Sequence, residues 1–564
     1  AKTIRDVLHF ETAAWWNPTT WYRKQPHYSP TDLEAGIGRL EELYHSEGYY
    51  NAQIASELHQ LSADRAAVSL KISEGGRTLV RQVNLEVTGD RPDFWRDQLR
   101  PLLTLAPGDP FTAEGYQRAK AVLADRLLNE GYPRVNVTGD VVVVRSTQEA
   151  TVNIKADTGD VGCFGETTVK GLSLYDEGYV RGELAYRPGQ IFRQRQLDES
   201  QRRIYRLGLF NTALVRPLVS QTDGNTIPIE VAVNERKRYT TRVGAGYGSE
   251  DQFRCRASWT VRKFMGDLRT LTLTAKYSSL VAGLQAGFTQ PYFIDRKSNL
   301  YNDLELIRNT LEAYTTEALN NRLIVDRTLS RYWTVYGGHR LEMNRLMDVT
   351  EEDAVPGTIP HDSIISAAEA GATRDTTTDP YYPEQGSRFF LAYEQATQGL
   401  LSEIQYVKGV AEGRLYQSLW PKVVLATRLK LGTVSPTENT LEVPIYKRFF
   451  SGGTDSVRGY GFQMLGPLDV KGKPTGGVSL TEGSIELRYP IHAKLFGVTF
   501  VDFGQVSLRE FDYDPAGLRF CAGTGLRYQT IVGPIRLDWA YKLNPEPDGE
   551  PGRWHIHFSV GQAF

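Results

Sequence analysis

At 564 residues the chain is too long for one ordinary domain, and several cores are expected. Its 65 Lys and Arg balance 67 Asp and Glu, and the net charge of −2 excludes the strongly basic footprint of a nucleic-acid binder. No run of about 18 consecutive apolar residues occurs, which excludes a transmembrane helix but not a β-barrel, whose short alternating strands leave hydropathy low.

The aromatic and glycine content, 30 Tyr, 22 Phe, nine Trp and 52 Gly, fits the girdles and kinks of such a barrel but also fits a soluble all-β protein. Ala1 onward lacks a basic-then-apolar leader and reads as a mature or trimmed start. Cys163, Cys255 and Cys521 lie far apart with no CxxC pair, and all three read as incidental.

The first part repeats. Leu33, Ile37, Leu40, Leu43 and Tyr44 keep helical spacing and run into Gly48-Tyr49-Tyr50, where glycine suits the residue that closes a helix. A second helix carries Ala119, Val122, Leu123 and Leu127 and stops at Gly131-Tyr132. A third carries Ile204, Tyr205 and Leu207 and stops at Gly208-Leu209-Phe210. The stop glycines stand 83 and 77 residues apart, and the turns Pro107-Gly108-Asp109-Pro110-Phe111 and Pro188-Gly189-Gln190-Ile191-Phe192 keep a step of 81. Closing strands match at 67–72, 150–154 and 227–233. Agreement of several markers at one period predicts three α+β domains, 1–75, 76–158 and 159–235. Modules of this kind in series bind extended polypeptides by a sheet edge or serve as spacers.

Beyond Glu235 the chain alternates with a period of two. Ile535, Leu537, Trp539, Tyr541 and Leu543 fall on one face, with Arg536, Asp538, Ala540 and Lys542 on the other. Residues 236–564 divide into about 16 such strands, at roughly 20 residues per strand and turn, which fits a membrane barrel. A barrel also removes the edges that so long an open sheet would expose. The first strand, Tyr239–Gly248, contains Val243, Gly244, Gly246 and Gly248; glycine weakens strand pairing. The last, Trp554–Phe564, alternates through Phe558, Val560 and Gly561 to an aromatic end at Phe564. His555 and His557 share a face, but without a third ligand at suitable spacing no metal site is expected.

The longest irregular stretch, 435–476, contains Val457-Arg458-Gly459-Tyr460 between glycine pairs. Loops this long are usually functional or disordered. Alternation turns Glu486, between Ile485 and Leu487, and Asp502, between Val501 and Phe503, toward the lumen. A guanidinium folded inward can make forked bonds to both. By the same count Cys521 faces the lumen and Cys255 the lipid, so they should not pair as a disulfide.

The repeats resemble polypeptide-transport-associated (POTRA) domains. The loop tip Arg458-Gly459-Tyr460, the inward Glu486, the Phe500-x-Asp502-x-Gly504 strand and Val532–Asp538 resemble the BamA/TamA superfamily of outer-membrane assembly and translocation barrels. The resemblance implies a 16-stranded barrel in a Gram-negative outer membrane with periplasmic repeats. It implies no enzymatic activity and no cofactor, and the residues show no nucleophile elbow, P-loop or zinc spacing. Its implied partners are outer-membrane client polypeptides and outer-membrane lipid, with no nucleic acid.

The implied mechanism is a lateral seam between first and last strands, at Val243, Gly244, Gly246, Gly248, Phe558, Val560, Gly561 and Phe564. Three repeats suggest the TamA type, with a TamB-like inner-membrane-anchored partner. The alternatives are a BamA type trimmed at its N-terminus, with accessory lipoproteins, or a two-partner secretion transporter. For the last, Ala1–Gln25, with Trp15, Trp16 and Trp21, makes an unconvincing plug helix. A passive porin would need neither the repeats nor a pinned loop.

Overall fold

A computed structural model describes residues 29–560, except 63–64, 222–223, 348–360, 380–381, 493, 531–532 and 548. The segment 1–25, Val532 and the strand end with Gly561 and Phe564 lie outside the described residues. The chain divides into two compact units, 1–236 and 237–564.

In the first unit, helix α1 (Pro30–Ser46) precedes a hairpin of β1 (Gln53–Ser62) and β2 (Arg65–Ser73). Ser29 caps α1 by accepting from the Asp32 amide, and Leu33 and Leu40 are its buried positions. Next come β3 (Leu79–Thr88), α2 (Pro92–Leu99), α3 (Ala113–Asn129), β4 (Asn136–Val144) and β5 (Glu149–Asp157). They form a sheet ordered β3-β5-β4, in which β5 pairs parallel to β3 and antiparallel to β4. The same plan recurs in β6 (Cys163–Lys170), α4 (Glu177–Arg181), α5 (Gln194–Arg206), β7 (Phe210–Pro217) and β8 (Thr226–Glu235), ordered β6-β8-β7. Each central strand is buried on alternate residues: Ala150, Val152, Ile154 and Ala156 in β5, and Ile227, Ile229, Val231 and Val233 in β8. In α5 the buried stripe is Leu197, Ser200 and Ile204, while Tyr205 is exposed, so the third helix turns a different face inward than its aromatic suggested.

The stop glycines also make the joints between copies. Gly48 and Gly131 have φ of +93° and +109°, a region closed to most side chains, and a Cβ on Gly131 would stand 2.9 Å from Ile191 Cγ2. The carbonyls of Gly48 and Gly131 accept from the Thr78 and Gly162 amides, each at 2.9 Å. Thr78 and Gly162 in turn accept from the amides of Phe111 and Phe192, just past the repeated Pro-Gly turns, again at 2.9 Å. Linker, helix end and turn are thus tied into one knot, twice over.

The second unit is a closed antiparallel barrel of 16 strands, the number read from the alternation. Its strands are β9 (Tyr239–Gly248), β10 (Gln252–Arg262), β11 (Thr270–Tyr277), β12 (Val281–Pro291), β13 (Ser298–Thr310), β14 (Thr315–Thr328), β15 (Trp333–Met347) and β16 (Asp362–Asp375). They continue as β17 (Gly386–Ala396), β18 (Tyr406–Trp420), β19 (Val423–Pro436), β20 (Ser479–His492), β21 (Leu495–Ser507), β22 (Arg519–Thr530), β23 (Gly533–Lys542) and β24 (Trp554–Val560). Outward positions such as Leu304, Leu306, Leu391, Ile485, Leu537 and Trp539 are exposed apolar residues, as lipid requires. Inward positions carry charge: Glu342, Glu369, Glu482, Asp502 and Asp538 are buried inside.

In β8, Glu230 meets Lys170 Nζ at 2.6 Å and Arg216 Nη2 at 2.6 Å. The Lys170 and Arg216 hydrogen bonds hold its carboxyl below the ordinary carboxylate range against desolvation. A depressed folded-state pKa stabilises the fold fully above the unfolded value, about 4.3, and that contribution is lost as pH falls through the folded value. The thermal transition of the repeats in the full chain should therefore drop as pH is lowered below about 4. Glu230→Gln should lower it at neutral pH and flatten that acid dependence, measured by circular dichroism melts at pH 7, 5 and 3.

Candidate functional site

Between β19 and β20 the loop 437–478 folds back on itself inside the barrel. Short bridges at Phe449–Gly477, Ser451–Leu465 and Leu468–Pro474 zip it into an irregular hairpin. Its tip is a compact turn in which the Gly453 amide bonds the Tyr460 carbonyl at 3.1 Å and the Tyr460 amide bonds the Val457 carbonyl at 3.1 Å.

Arg458 projects from that tip and is 4% exposed. Its Nε and Nη2 donate to the two oxygens of Asp502, each at 2.8 Å, and its own amide adds a third bond at 3.1 Å. Nη1 donates to Glu486 at 2.8 Å, and Ser484 completes the ring by donating to Asp502 at 2.7 Å. The guanidinium lies 3.3 Å from the Phe500 ring centroid. A planar fork with two carboxylates on one side and an aromatic face on the other is a geometry that only arginine satisfies.

The glycines of the motif make room. A Cβ on Gly459 would stand 2.5 Å from that of Cys521, whose sulfur accepts from the Gly459 amide at 3.1 Å. A Cβ on Gly504 would stand 2.8 Å from both Val457 and Leu465, so this glycine is the seat for the tip's apolar side chains. Tyr460 is buried with Lys542 Nζ 4.4 Å above its ring. Val457, Arg458, Gly459, Tyr460, Glu486, Phe500, Asp502 and Gly504 thus lie at one place. Cys163, Cys255 and Cys521 are all free thiols.

The expected seam residues lie apart from that cluster. β9 pairs with β10 from Tyr239 to Gly248, but with β24 only at Gly248–Ser559 and Tyr247–Val560 among the described residues. Below that crossing Val243 is 79% exposed and Gly244 faces open space. Gly246 lies against Val560, where a Cβ would meet its carbonyl at 2.7 Å and Arg254 Nε at 2.8 Å. The missing side chain lets Arg254, from β10, reach across to Ser559 Oγ at 3.1 Å and the Val560 carbonyl at 3.3 Å. In the β9–β10 turn, Ser249 donates its amide to the Phe558 carbonyl at 2.8 Å.

Sequence reasoning missed how the tip joins these elements. Glu250, in the same turn, accepts from the Thr454 amide at 2.5 Å and hydroxyl at 2.7 Å. His557 of β24 donates through Nε2 to the Arg458 carbonyl at 2.9 Å and brings Nδ1 to 3.3 Å from Glu250. Arg536 of β23 binds Asp455 at 2.9 Å and the Thr454 carbonyl. Glu550, in the β23–β24 turn, accepts from the Gly461 amide at 3.1 Å. The inward period of two flagged His557 and Arg536 as lumen residues; nothing local in sequence pairs them with a loop about 100 residues away.

Fold and site define an outer-membrane β-barrel protein with periplasmic repeats and a loop locked into its lumen. The chain belongs to the Omp85 superfamily, whose domain matches residues 240–564, and POTRA, the surface antigen variable number repeat, matches 80–159 and 164–236. It is 24% identical over 542 residues to the outer membrane protein assembly factor BamA of Nitratidesulfovibrio vulgaris, covering 92% of this chain and 66% of that protein. The BamA of Neisseria meningitidis serogroup B is 20% identical over 619 residues, covering 100% of this chain and 76% of that protein. This chain therefore spans only part of the length of these curated relatives.

Among the solved structures that share the fold are two whose likeness covers most of this chain. BamA from Haemophilus ducreyi lacking POTRA domains 1-3 superposes with a TM-score of 0.59 at 18% identity, covering 86% of this chain and 99% of that one. CdiB from Escherichia coli gives a TM-score of 0.51 at 12% identity, covering 95% and 99%.

Arg458→Ala leaves Asp502 without its cation inside the lumen, while Glu486 keeps Arg488 at 2.7 Å. Removing one member of a buried ion pair costs about 3–5 kcal/mol, and less where water enters. The expected variant assembles a barrel that loses its folded gel mobility at a lower temperature than wild type. Arg458→Lys should recover only part of the loss, because an ammonium cannot fork across both carboxylates. A wild-type transition in Arg458→Ala would refute the lock.

Proposed function

We infer that this protein inserts and assembles other polypeptides in the outer membrane as a BamA-type factor, working through the β9–β24 seam. One observation carries the reading: groups from outside β9 and β24 clasp the joint between them. Arg254 crosses from β10 to Ser559 and Val560, and the loop tip grips both the β9–β10 turn and β24. An edge strand with unmet hydrogen-bonding groups is a template for another strand. Were the seam to part, β9, a strand that glycine keeps weakly packed, would offer such an edge.

The repeat count suggested a TamA type with a TamB-like partner. The relatives favour the BamA type, because the curated proteins named above are BamA. On this reading the clients are unfolded outer-membrane polypeptides, outer-membrane lipid receives them, and the periplasmic repeats dock accessory lipoproteins.

The test joins the seam covalently. Tyr247→Cys and Val560→Cys, at register partners, are oxidised to a disulfide in a Cys255→Ser background. Client assembly should stop in the oxidised protein and return on reduction, read as folded client in membranes. Full assembly with the seam locked would reject lateral action.

A further inference from the structure

Eleven residues before Arg458, a second cation of the same loop is buried on a different part of the barrel wall. Lys447 is 6% exposed, and its Nζ stands 2.7 Å from Glu342 Oε2 of β15 and 3.5 Å from Glu394 Oε1 of β17. The ammonium lies 5.5 Å from the Tyr406 ring centroid, and the Tyr406 hydroxyl bonds the same Glu394. From β18, Lys408 donates to the Lys447 carbonyl at 2.9 Å, which fixes the backbone as well as the side chain. One residue earlier, the Tyr446 hydroxyl meets Ser363 of β16 at 2.6 Å. Val443 and Phe449, on either side, are buried with Ile365, Ala367, Ala396 and Tyr406. The polar contacts of Lys447 and Tyr446 to the wall come from β15–β18, while the stem's apolar side chains also reach the β13–β14 turn and β19–β21; the tip's polar partners belong to β19–β24 and the β9–β10 turn.

Between the two anchors lie Gly452 and Gly453, with φ of +104° and +107°. Consecutive glycines in that region can change backbone direction at small cost. Both are buried and bonded within the tip, Gly453 through its amide to the Tyr460 carbonyl and Gly452 through its carbonyl to the Gln463 amide at 3.3 Å, so a pivot here must release those bonds.

The geometry points to Lys447 as a positioning residue: it tethers the stem of the loop to β15–β18, so that the tip can leave Asp502 by pivoting at Gly452–Gly453 while the stem stays in the lumen. The assignment builds on the seam reading, which supplies the tip's task. Release of the tip frees β24 and the β9–β10 turn together, and the tether then returns Arg458 to the same carboxylates. The lumen stays plugged throughout, so seam movement and pore opening are separate events.

Two buried side chains report the two anchors. Cys521 lies under Gly459 at the tip, and Val443, 1% exposed, lies in the stem. In the full chain in membranes, with Cys163 and Cys255 replaced by serine, maleimide labelling is followed at native Cys521 and at Val443→Cys. Arg458→Ala should raise Cys521 labelling about tenfold while Val443→Cys keeps its starting rate. Lys447→Gln should raise Val443→Cys labelling about tenfold, and Cys521 labelling with it, because an untethered stem no longer positions the tip. Lys447→Arg, long enough to reach both carboxylates, should restore protection at both.

An unchanged Val443→Cys rate in Lys447→Gln overturns the tether. So does exposure of both thiols in Arg458→Ala, an arm that leaves Lys447 intact and stays decisive if the Lys447 variants fail to fold. Labelling needs no client, so the tether can fail with the seam reading intact, and locking the seam tests that reading without touching Lys447.

Discussion

A guanidinium held inside the barrel organises this unit. The lumen wall is studded with inward carboxylates, which alternation makes unavoidable once the outer face is given to lipid. Asp502 and Glu486 at close range would be costly without a cation between them. Arg458 supplies it from the loop, beside Arg488 of β20 on Glu486, so the wall is most stable with the loop home. The dependence runs both ways: the tip, which is irregular backbone, is held in shape by what the wall donates and accepts.

From that requirement the small residues follow. Gly459 brings backbone against Cys521, Gly504 leaves a seat for Val457, and Gly246 opens a path for Arg254. Each is a position where a methyl group would collide with a partner from another strand or from the loop. In β9 the same choice has a second effect, since a strand that omits side chains to let an arginine pass also loses the cross-strand packing that would zip it to its neighbour. The glycine-rich strand and the side-chain clasp across it belong to one pattern.

Much of this was legible in the sequence because it is periodic. A repeat of about 80 residues exposed the modules, and a period of two counted the strands and turned Glu486 and Asp502 inward. Arg458 stood out because glycines isolate it. What could not be read depends on register around a closed cylinder. Glu250, His557 and Arg536 meet the loop only because β9, β23 and β24 come together when the sheet closes. Lys447 carries no signal in the sequence; only the closed sheet brings Glu342 of β15 and Glu394 of β17 beside it. Tyr205 misled for the opposite reason: an aromatic at helical spacing looked like core, but Leu197, Ser200 and Ile204 already filled the buried stripe of α5.

The knots at Gly48 and Gly131 give the repeats a mechanical character. A flexible linker lets successive modules swivel like beads on a thread. Here the peptide that leaves one module is hydrogen-bonded to the helix end behind it and to the turn ahead of it, so rotation at the joint must first break those bonds. A twist at either joint therefore meets hydrogen bonds on both sides, and at each of the two the glycine that ends a helix doubles as the fastening.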